Sequence, residues 1–317
     1  MKRIIGFFIV FVMLFSLAAC ARPEAKPGEI RVGSLNGPTT MGLVDLMDRA
    51  EKGGTEDAYV FTRCTQADEL AAKVAGGQVD IALVPANLAA VLYKRTNGAV
   101  AVIDVNTLGV LYCVTGDEKI TSIRDLAGKT VVLTGQGATP EHTLRYLLDK
   151  YGITDCTLEF RSEAGEVAAV LAGDPGKIAV LPQPFATSAQ MQNTALREAF
   201  SLSDAWDALG TSARMLTGVT IVRRDFLEEY PQAVKRFMAE HKKSAGAAAE
   251  VIAPLVVRYG IIAKEPVANR AIPKCGITYL DGAEMKAALE GYLAVLHSAD
   301  PASVGGQLPG SDFYYVG

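Results

Sequence analysis

TQADELAAKVAGGQVDIALVPANLA, from Thr65 to Ala89, lies over SEAGEVAAVLAGDPGKIAVLPQPFA, from Ser162 to Ala186, at a constant offset of 97 with ten of 25 positions identical. The matches include Gly76 with Gly173 and Pro85 with Pro182, punctuation that alanine-rich helices do not supply by composition alone. Each copy reads as one structural unit. Thr65 or Ser162 is placed to cap a helix, an apolar helical stripe follows, and Gly76 or Gly173 ends it. Next come Val79–Val84 and Lys177–Leu181, runs dominated by apolar residues and bounded by turn signals. Strands covered on both faces in a parallel sheet have this pattern.

Working upstream, an offset of 100 pairs Val32–Thr39 with Val132–Thr139, and in both a strand runs into a glycine-containing polar turn. Helices are expected to follow, from Met41 to Met47 and from Glu141 to Leu148. Each half therefore reads strand, loop, helix, strand, helix, strand, loop, which predicts an α/β protein of two similar lobes with mainly parallel sheets. Val105–Val114 reads as one long strand crossing into the second lobe, and Met215–Val222 as the strand that returns. The expected division is residues 30–110 and 217–317 for lobe I and 111–216 for lobe II. Arg223–Gly317 is expected to add helices to lobe I. Two crossings form a hinge suited to clam-shell closure.

The ends of the chain add a location. Lys2 and Arg3 precede an apolar run that stops at Leu17-Ala18-Ala19-Cys20, shorter than the roughly 20 residues a spanning helix needs. Residues 1–19 read as a signal peptide with a lipobox. Cys20 is then the lipidation site, and its acyl chains would hold the protein to a membrane. Residues 20–29, with two prolines, a glycine and alternating charges, read as a tether. Removing Lys2 and Arg3 moves the formal charge from −4 to −6, which argues against nucleic acid as a partner. Cys64, Cys113, Cys156 and Cys275 have no metal-ligand spacing, and Cys113 reads as a small buried hydrophobe. Whether the four thiols pair is open from sequence. No phosphate loop, dinucleotide fingerprint, nucleophile elbow or zinc motif is present, so neither cofactor nor metal is expected.

Four stretches resemble the periplasmic binding proteins of ABC importers, in the subgroup that includes nitrate, taurine, alkanesulfonate and thiamine-precursor binding proteins. Ser122–Val132 is similar to the phrase that opens the family's second lobe, and Leu181–Ala186 to its proline-containing site loop. Arg224–Phe237 resembles the stretch after the return crossing, and Gly305–Tyr315 the end of some members. The resemblance implies a monomeric solute-binding lipoprotein that passes a small molecule to a permease and ATPase complex. Many members carry Glu where Gln183 stands. Some menaquinone-pathway and pyrimidine-forming enzymes share the fold, so catalysis is a competing expectation, as is ligand sensing for a membrane receptor. His142 is the one histidine near the expected cleft; His241 and His297 read as solvated.

Ligands of open α/β sheets lie outside the carboxyl ends of the strands. Those ends are four turns: Asn36–Met41, Pro85–Asn87, Thr134–Pro140 and Gln183–Phe185. None contains Lys, Arg, Asp or Glu. Helix starts near Thr39, Asn87 and Thr139 would aim unpaired N–H groups into the cleft. The expected ligand is small and neutral, zwitterionic or singly anionic. Its expected contacts are Asn36, Gly37, Pro38, Thr39, Thr40, Ala86, Asn87, Thr134, Gly135, Gln136, Gly137, Thr139 and Gln183. Thr39, Asn87 and Thr139 could instead be helix caps, and Arg63 a surface arginine or a cleft cation.

Overall fold

Eleven strands form two sheets in the computed structural model, which describes residues 26–211 and 213–317. The leader and Cys20 lie outside the described residues. The strands are β1 Ile30–Leu35, β2 Tyr59–Cys64, β3 Ile81–Pro85, β4 Val100–Leu108, β5 Leu111–Thr115, β6 Thr130–Leu133, β7 Thr157–Phe160, β8 Ile178–Pro182, β9 Arg197–Ser201, β10 Leu216–Arg223 and β11 Ile277–Leu280. One sheet runs β11-β4-β10-β3-β1-β2 and the other β7-β6-β8-β5-β9.

Read as β2-β1-β3-β10-β4 and β7-β6-β8-β5-β9, the two orders are the same, so the sequence repeat is a repeat of architecture. The offset of 97 carries β3 onto β8 and the helix Ala67–Ala75 onto the helix Ala164–Gly173. In both copies the four residues before the closing proline are fully buried, as strands covered on both faces require. The helix caps differ from expectation. Gln66 and Glu163, one residue beyond Thr65 and Ser162, occupy the N-cap positions without a side-chain bond. At the second copy Glu166 instead reaches back to the Ser162 N–H at 3.0 Å.

The α/β class and the two-sheet plan agree with the sequence, while the pairing is mixed. β1 is parallel to β2 and β3, and β6 to β7 and β8. β10 is antiparallel to β3 and β4, and β5 to β8 and β9. In each sheet the strand that arrives from the other sheet, β10 or β5, runs against its neighbours, and the edge strand β11 is also antiparallel to β4.

The predicted long crossing strand breaks at Gly109-Val110 into β4 and β5. A Cβ on Gly109 would stand 2.1 Å from Ser203 Oγ and 3.0 Å from Met215 Sδ, so the outgoing crossing is packed tightly against the returning segment. The first expected helix is also split, into Pro38–Met41 and Val44–Glu51. Gly42 lies at the break, where a Cβ would approach Ile277 at 3.2 Å.

Beyond Arg223 the chain is not helices alone. It adds β11 to the edge of the six-stranded sheet, and Tyr314 bridges back to Val102. The helix Gly282–Ala299 covers both halves. Its Tyr292 meets Trp206 at 5.8 Å between ring centroids, and Trp206 meets Tyr146 at 4.6 Å. One hydrophobic cluster accordingly contains Val84, Val105 and Leu293 together with Leu144, Leu147 and Trp206.

His241 is the clearest departure from the sequence reading. It is fully buried, with Nδ1 3.1 Å from Asp104 Oδ2, and Asp104 also accepts from Thr220 at 2.6 Å. The register between β4 and β10 slips between Thr220 and Ile221, and a bulge of this kind re-aims a side chain, here Asp104 toward the helix Pro231–Ala245. The four cysteines of the described residues are free thiols, and Cys113 is fully buried in β5. No helix among the described residues is long and apolar enough to cross a membrane.

Candidate ligand cleft

The turns at the carboxyl ends of β3 and β6 meet between the two sheets, where two expected site residues from opposite halves join: Thr139 Oγ1 donates to Asn87 Oδ1 at 2.9 Å. Asn87 Nδ2 donates in turn to the Ser303 carbonyl at 3.3 Å. Neither residue caps its helix, because the helix Ala86–Arg95 begins at Pro85 and the helix Thr139–Lys150 at Ala138, both without side-chain caps. Their polar groups are directed across the crevice.

Gly37, Gly135 and Gly137 have φ of 137°, 76° and 70°, a region L side chains rarely adopt. A Cβ would meet nothing within 4 Å at Gly37 or Gly137, so two stretches of backbone face open space at the tips of β1 and β6. The Gly137 N–H is held at 2.7 Å by Glu141, which also accepts from Arg145. Burial alone would raise the Glu141 carboxyl, but the Gly137 N–H and Arg145 outweigh it and hold the group below its usual range. The start of this helix thus already carries an oxyanion, as the unpaired N–H groups and dipole of a helix N-terminus favour.

Around the mouth, Arg63 at the end of β2 donates to Asn36 Oδ1 at 3.4 Å and to the Tyr259 carbonyl, which makes it a rim cation. Beside it a cavity of about 440 Å³ lies between the halves. Pro184, Phe185 and Met191 line one wall, and Ile261, Ile262 and Lys264 the other. Phe185 is 41% exposed, unusual for a large aromatic with no partner surface. Pro38 opens the short helix after Gly37, Thr134 follows β6, and Gln136 is exposed at the tip of that turn.

Other expected contacts face inward. Gln183 is fully buried, its Oε1 accepting from Thr187 Oγ1 at 2.8 Å and its Nε2 donating to Glu198 at 2.8 Å. Glu198 also takes the ammonium of Lys274. A glutamine suits this place because it donates to one carboxylate and accepts from a hydroxyl at once. Thr39 and Thr40 both turn back to the Leu35 carbonyl, Thr40 also to Ser34 at 2.8 Å, and Ala86 is fully buried. These residues shape the turns from beneath.

Reading the sequence missed Phe185 as a wall and Glu141 as a resident carboxylate. Glu141 had a signal: an acid at the third position of a helix that reaches back over its own start. His142 is partly buried, and its Nε2 has no partner among the described residues. Among those residues no group of three or more His, Cys, Asp or Glu is placed to hold a metal ion.

A family model described as an ABC transporter phosphonate periplasmic substrate-binding protein matches residues 52–260. Among solved structures, an ABC transporter protein from Parabacteroides distasonis is 23% identical over 91% of this chain and 99% of its own, with a TM-score of 0.77. The periplasmic aliphatic sulphonate binding protein SsuA from Escherichia coli is 15% identical over 90% of this chain and 95% of its own, with a TM-score of 0.70. The alkanesulfonate-binding protein SsuA from Xanthomonas axonopodis pv. citri, bound to MOPS, is 13% identical over 87% and 94%, with a TM-score of 0.66. At these identities the structures agree with this chain in fold. By sequence, no curated protein matches the chain.

Proposed function

The chain belongs to the phosphonate family of periplasmic substrate-binding proteins of ABC transporters, and from that premise we propose that its crevice closes around one small organic oxyanion with a phosphonate- or sulfonate-like head group. It is an extracytoplasmic component that captures a solute and delivers it to an importer. Of the three charge classes expected from the sequence, the anionic one is favoured by a single observation: the match to the model of phosphonate-binding proteins over residues 52–260. A ligand oxyanion can take N–H groups of the turns at Gly137 and Gly37. Arg63 adds positive charge at the rim, and the wall of Phe185, Met191 and Ile261 suits the organic substituent.

In this reading residues 30–110 with 217–317, and residues 111–216, are the two lobes. Closure is scored by the bond between Asn87 and Thr139, and ligand binding shifts the open–closed equilibrium because only the closed form contacts the solute from both sides. The family and its solved neighbours are transport proteins, which supports reading the chain as a binding protein, here taken as a monomer, rather than an enzyme. Cys20 is its lipid anchor, reached through the tether 20–29. Labelling with a radioactive fatty acid tests the anchor: the native chain should incorporate label and Cys20→Ala should not.

Calorimetry of the mature protein with methylphosphonate, ethanesulfonate and inorganic phosphate tests the ligand class. At least one organic oxyanion should bind with one-to-one stoichiometry. If all three give no heat while mass spectrometry finds a neutral molecule retained by the purified protein, the oxyanion assignment is wrong.

A further inference from the structure

The two walls of the cavity of about 440 Å³ belong to different halves, and one carboxylate ties them together. Glu198 lies in β9 of the five-stranded sheet, with its side chain 15% exposed. One of its oxygens accepts from Gln183 Nε2 at 2.8 Å and from Gln190 Nε2 at 3.0 Å. Both amides belong to the wall that carries Phe185 and Met191, since Gln183 leads into the helix Phe185–Gln192 and Gln190 lies within it. The other oxygen takes the ammonium of Lys274 at 2.5 Å. Lys274 ends the short turn Ile272–Lys274 that continues the helix Glu265–Ala271, whose Val267 lines the facing wall with Ile262 and Lys264. The Lys274 carbonyl also accepts from the Tyr112 hydroxyl of β5 at 3.3 Å.

How the apolar residues cluster decides where the halves can part. On the side of the helix Gly282–Ala299 one cluster runs through both halves, from Val84 and Leu293 to Leu144 and Trp206, and parting there would expose it to water against the hydrophobic effect. On the side of the cavity the clusters are separate. One holds Met41, Phe237 and Ile262 of the six-stranded half, the other Val167, Leu181 and Ala186 of the five-stranded half. Among the described residues of the five-stranded half, only Met191 packs against the first of these.

We infer that Glu198 and Lys274 are positioning residues for solute capture: their ion pair latches the mouth of the crevice on the cavity side and, through Gln183 and Gln190, holds the wall that faces the solute. The inference rests on the solute-capture reading above, since it assumes that the halves move. Parting the walls draws Lys274 away from Glu198, while Gln183 and Gln190 travel with Glu198 on the same half. The pair therefore favours the closed form and keeps the wall in shape during the motion. Both residues act through the walls rather than by touching the solute.

Lys274→Met keeps the aliphatic stem and removes the charge, whereas Lys274→Arg keeps the charge. In calorimetric titration methylphosphonate should bind about twofold to fivefold more weakly to Lys274→Met, the range expected of a half-exposed ion pair acting through the fraction of protein competent to bind. Lys274→Arg should bind as wild type does. The difference should narrow at about 1 M salt, where screening sets in within about 3 Å; a stem that only packed would not respond to salt in this way. Without ligand, the carbon-13 methyl resonance of Met191, assigned by Met191→Leu, should move toward the position of a free methionine in Lys274→Met and stay in place in Lys274→Arg, because Met191 packs against the opposite half only while the walls are together. Should Lys274→Met fold poorly, Glu198→Gln is expected to give the same two results. Wild-type binding with an unmoved Met191 resonance in Lys274→Met, equal losses in Lys274→Met and Lys274→Arg, or a difference indifferent to salt would overturn the inference. If wild type binds no methylphosphonate, the ligand class fails and the latch is judged by the Met191 resonance alone.

Discussion

Substituting Gly109 tests the hinge most directly. Its φ is not among the positive ones, so alanine meets no backbone strain there. The obstacle is packing, because the new Cβ would lie 2.1 Å from Ser203 Oγ and 3.0 Å from Met215 Sδ. Ser203 must leave the rotamer in which it faces Met215 at 3.7 Å, and the two crossings must separate by some tenths of an ångström. Overpacking of this sort costs about 1–3 kcal/mol. For a chain of this size, each 1 kcal/mol lowers the melting temperature by roughly 2–4 °C, so Gly109→Ala should melt about 3–10 °C lower by calorimetry. Because the clash sits between the two crossings, the scattering radius of the unliganded protein should change as well. Adding Ser203→Ala removes the nearer contact and should restore most of the loss. If Gly109→Ala melts and scatters like wild type, or if Ser203→Ala rescues nothing, the crossings are not packed as described.

Asn87→Ala removes one neutral hydrogen bond between the halves and should weaken binding of an oxyanion such as methylphosphonate by about fivefold, on the order of 1 kcal/mol, in calorimetric titration. His241→Ala removes one buried hydrogen-bond partner of Asp104, and a loss of about 1–3 kcal/mol should appear as a lower urea midpoint; Asp104→Asn in the same background should return part of it. Glu141 is held below its usual range in the folded protein, so its contribution is present above the unfolded pKa and fades as pH falls through the folded value. Glu141→Gln should therefore lower the melting temperature most at neutral pH and converge with wild type as pH falls, which flattens the acid limb of the profile. Gln183→Ala should lower stability by about 1–3 kcal/mol through Glu198 and Thr187; a selective loss of affinity at unchanged stability would return Gln183 to the list of ligand contacts.

Periodicity and duplication made the sheets legible, because the same residue types must recur wherever the same strand is covered on both faces. Pro85 and Pro182 end equivalent strands for that reason. The direction of β5 and β10 was not legible, since an apolar run reads the same either way. His241 should have been legible: it falls on the stripe of Ala233, Val234, Phe237 and Ser244 that the helix buries, and weighing its polarity above its position produced the wrong environment. At the cleft, Asn87, Thr139, Gly37 and Gly137 followed from the rule that ligands collect at strand ends. Gln183 followed from the same rule, but that its side chain would engage Thr187 and Glu198 was not legible, because Glu198 is 15 residues away in sequence.

The position of the reversed strands explains why two short crossings suffice for a moving joint. If the chain passed between halves through edge strands, bending there would peel an edge away and leave each core intact but loosely tied to the joint. Here β10 lies between β3 and β4, and β5 between β8 and β9, so each arriving strand is paired on both sides, although the return departs from the edge strand β9. On the proposed closure, rotation would be taken up outside the ladders, at Gly109-Val110. Each half would then move as a unit, and the turns at Gly37 and Gly137 would keep their shape while the distance between them changed. Selectivity would then reside in the turns and affinity in the joint, which is why Gly109, which lies between the sheets rather than at the turns, is expected to alter how tightly a solute is held.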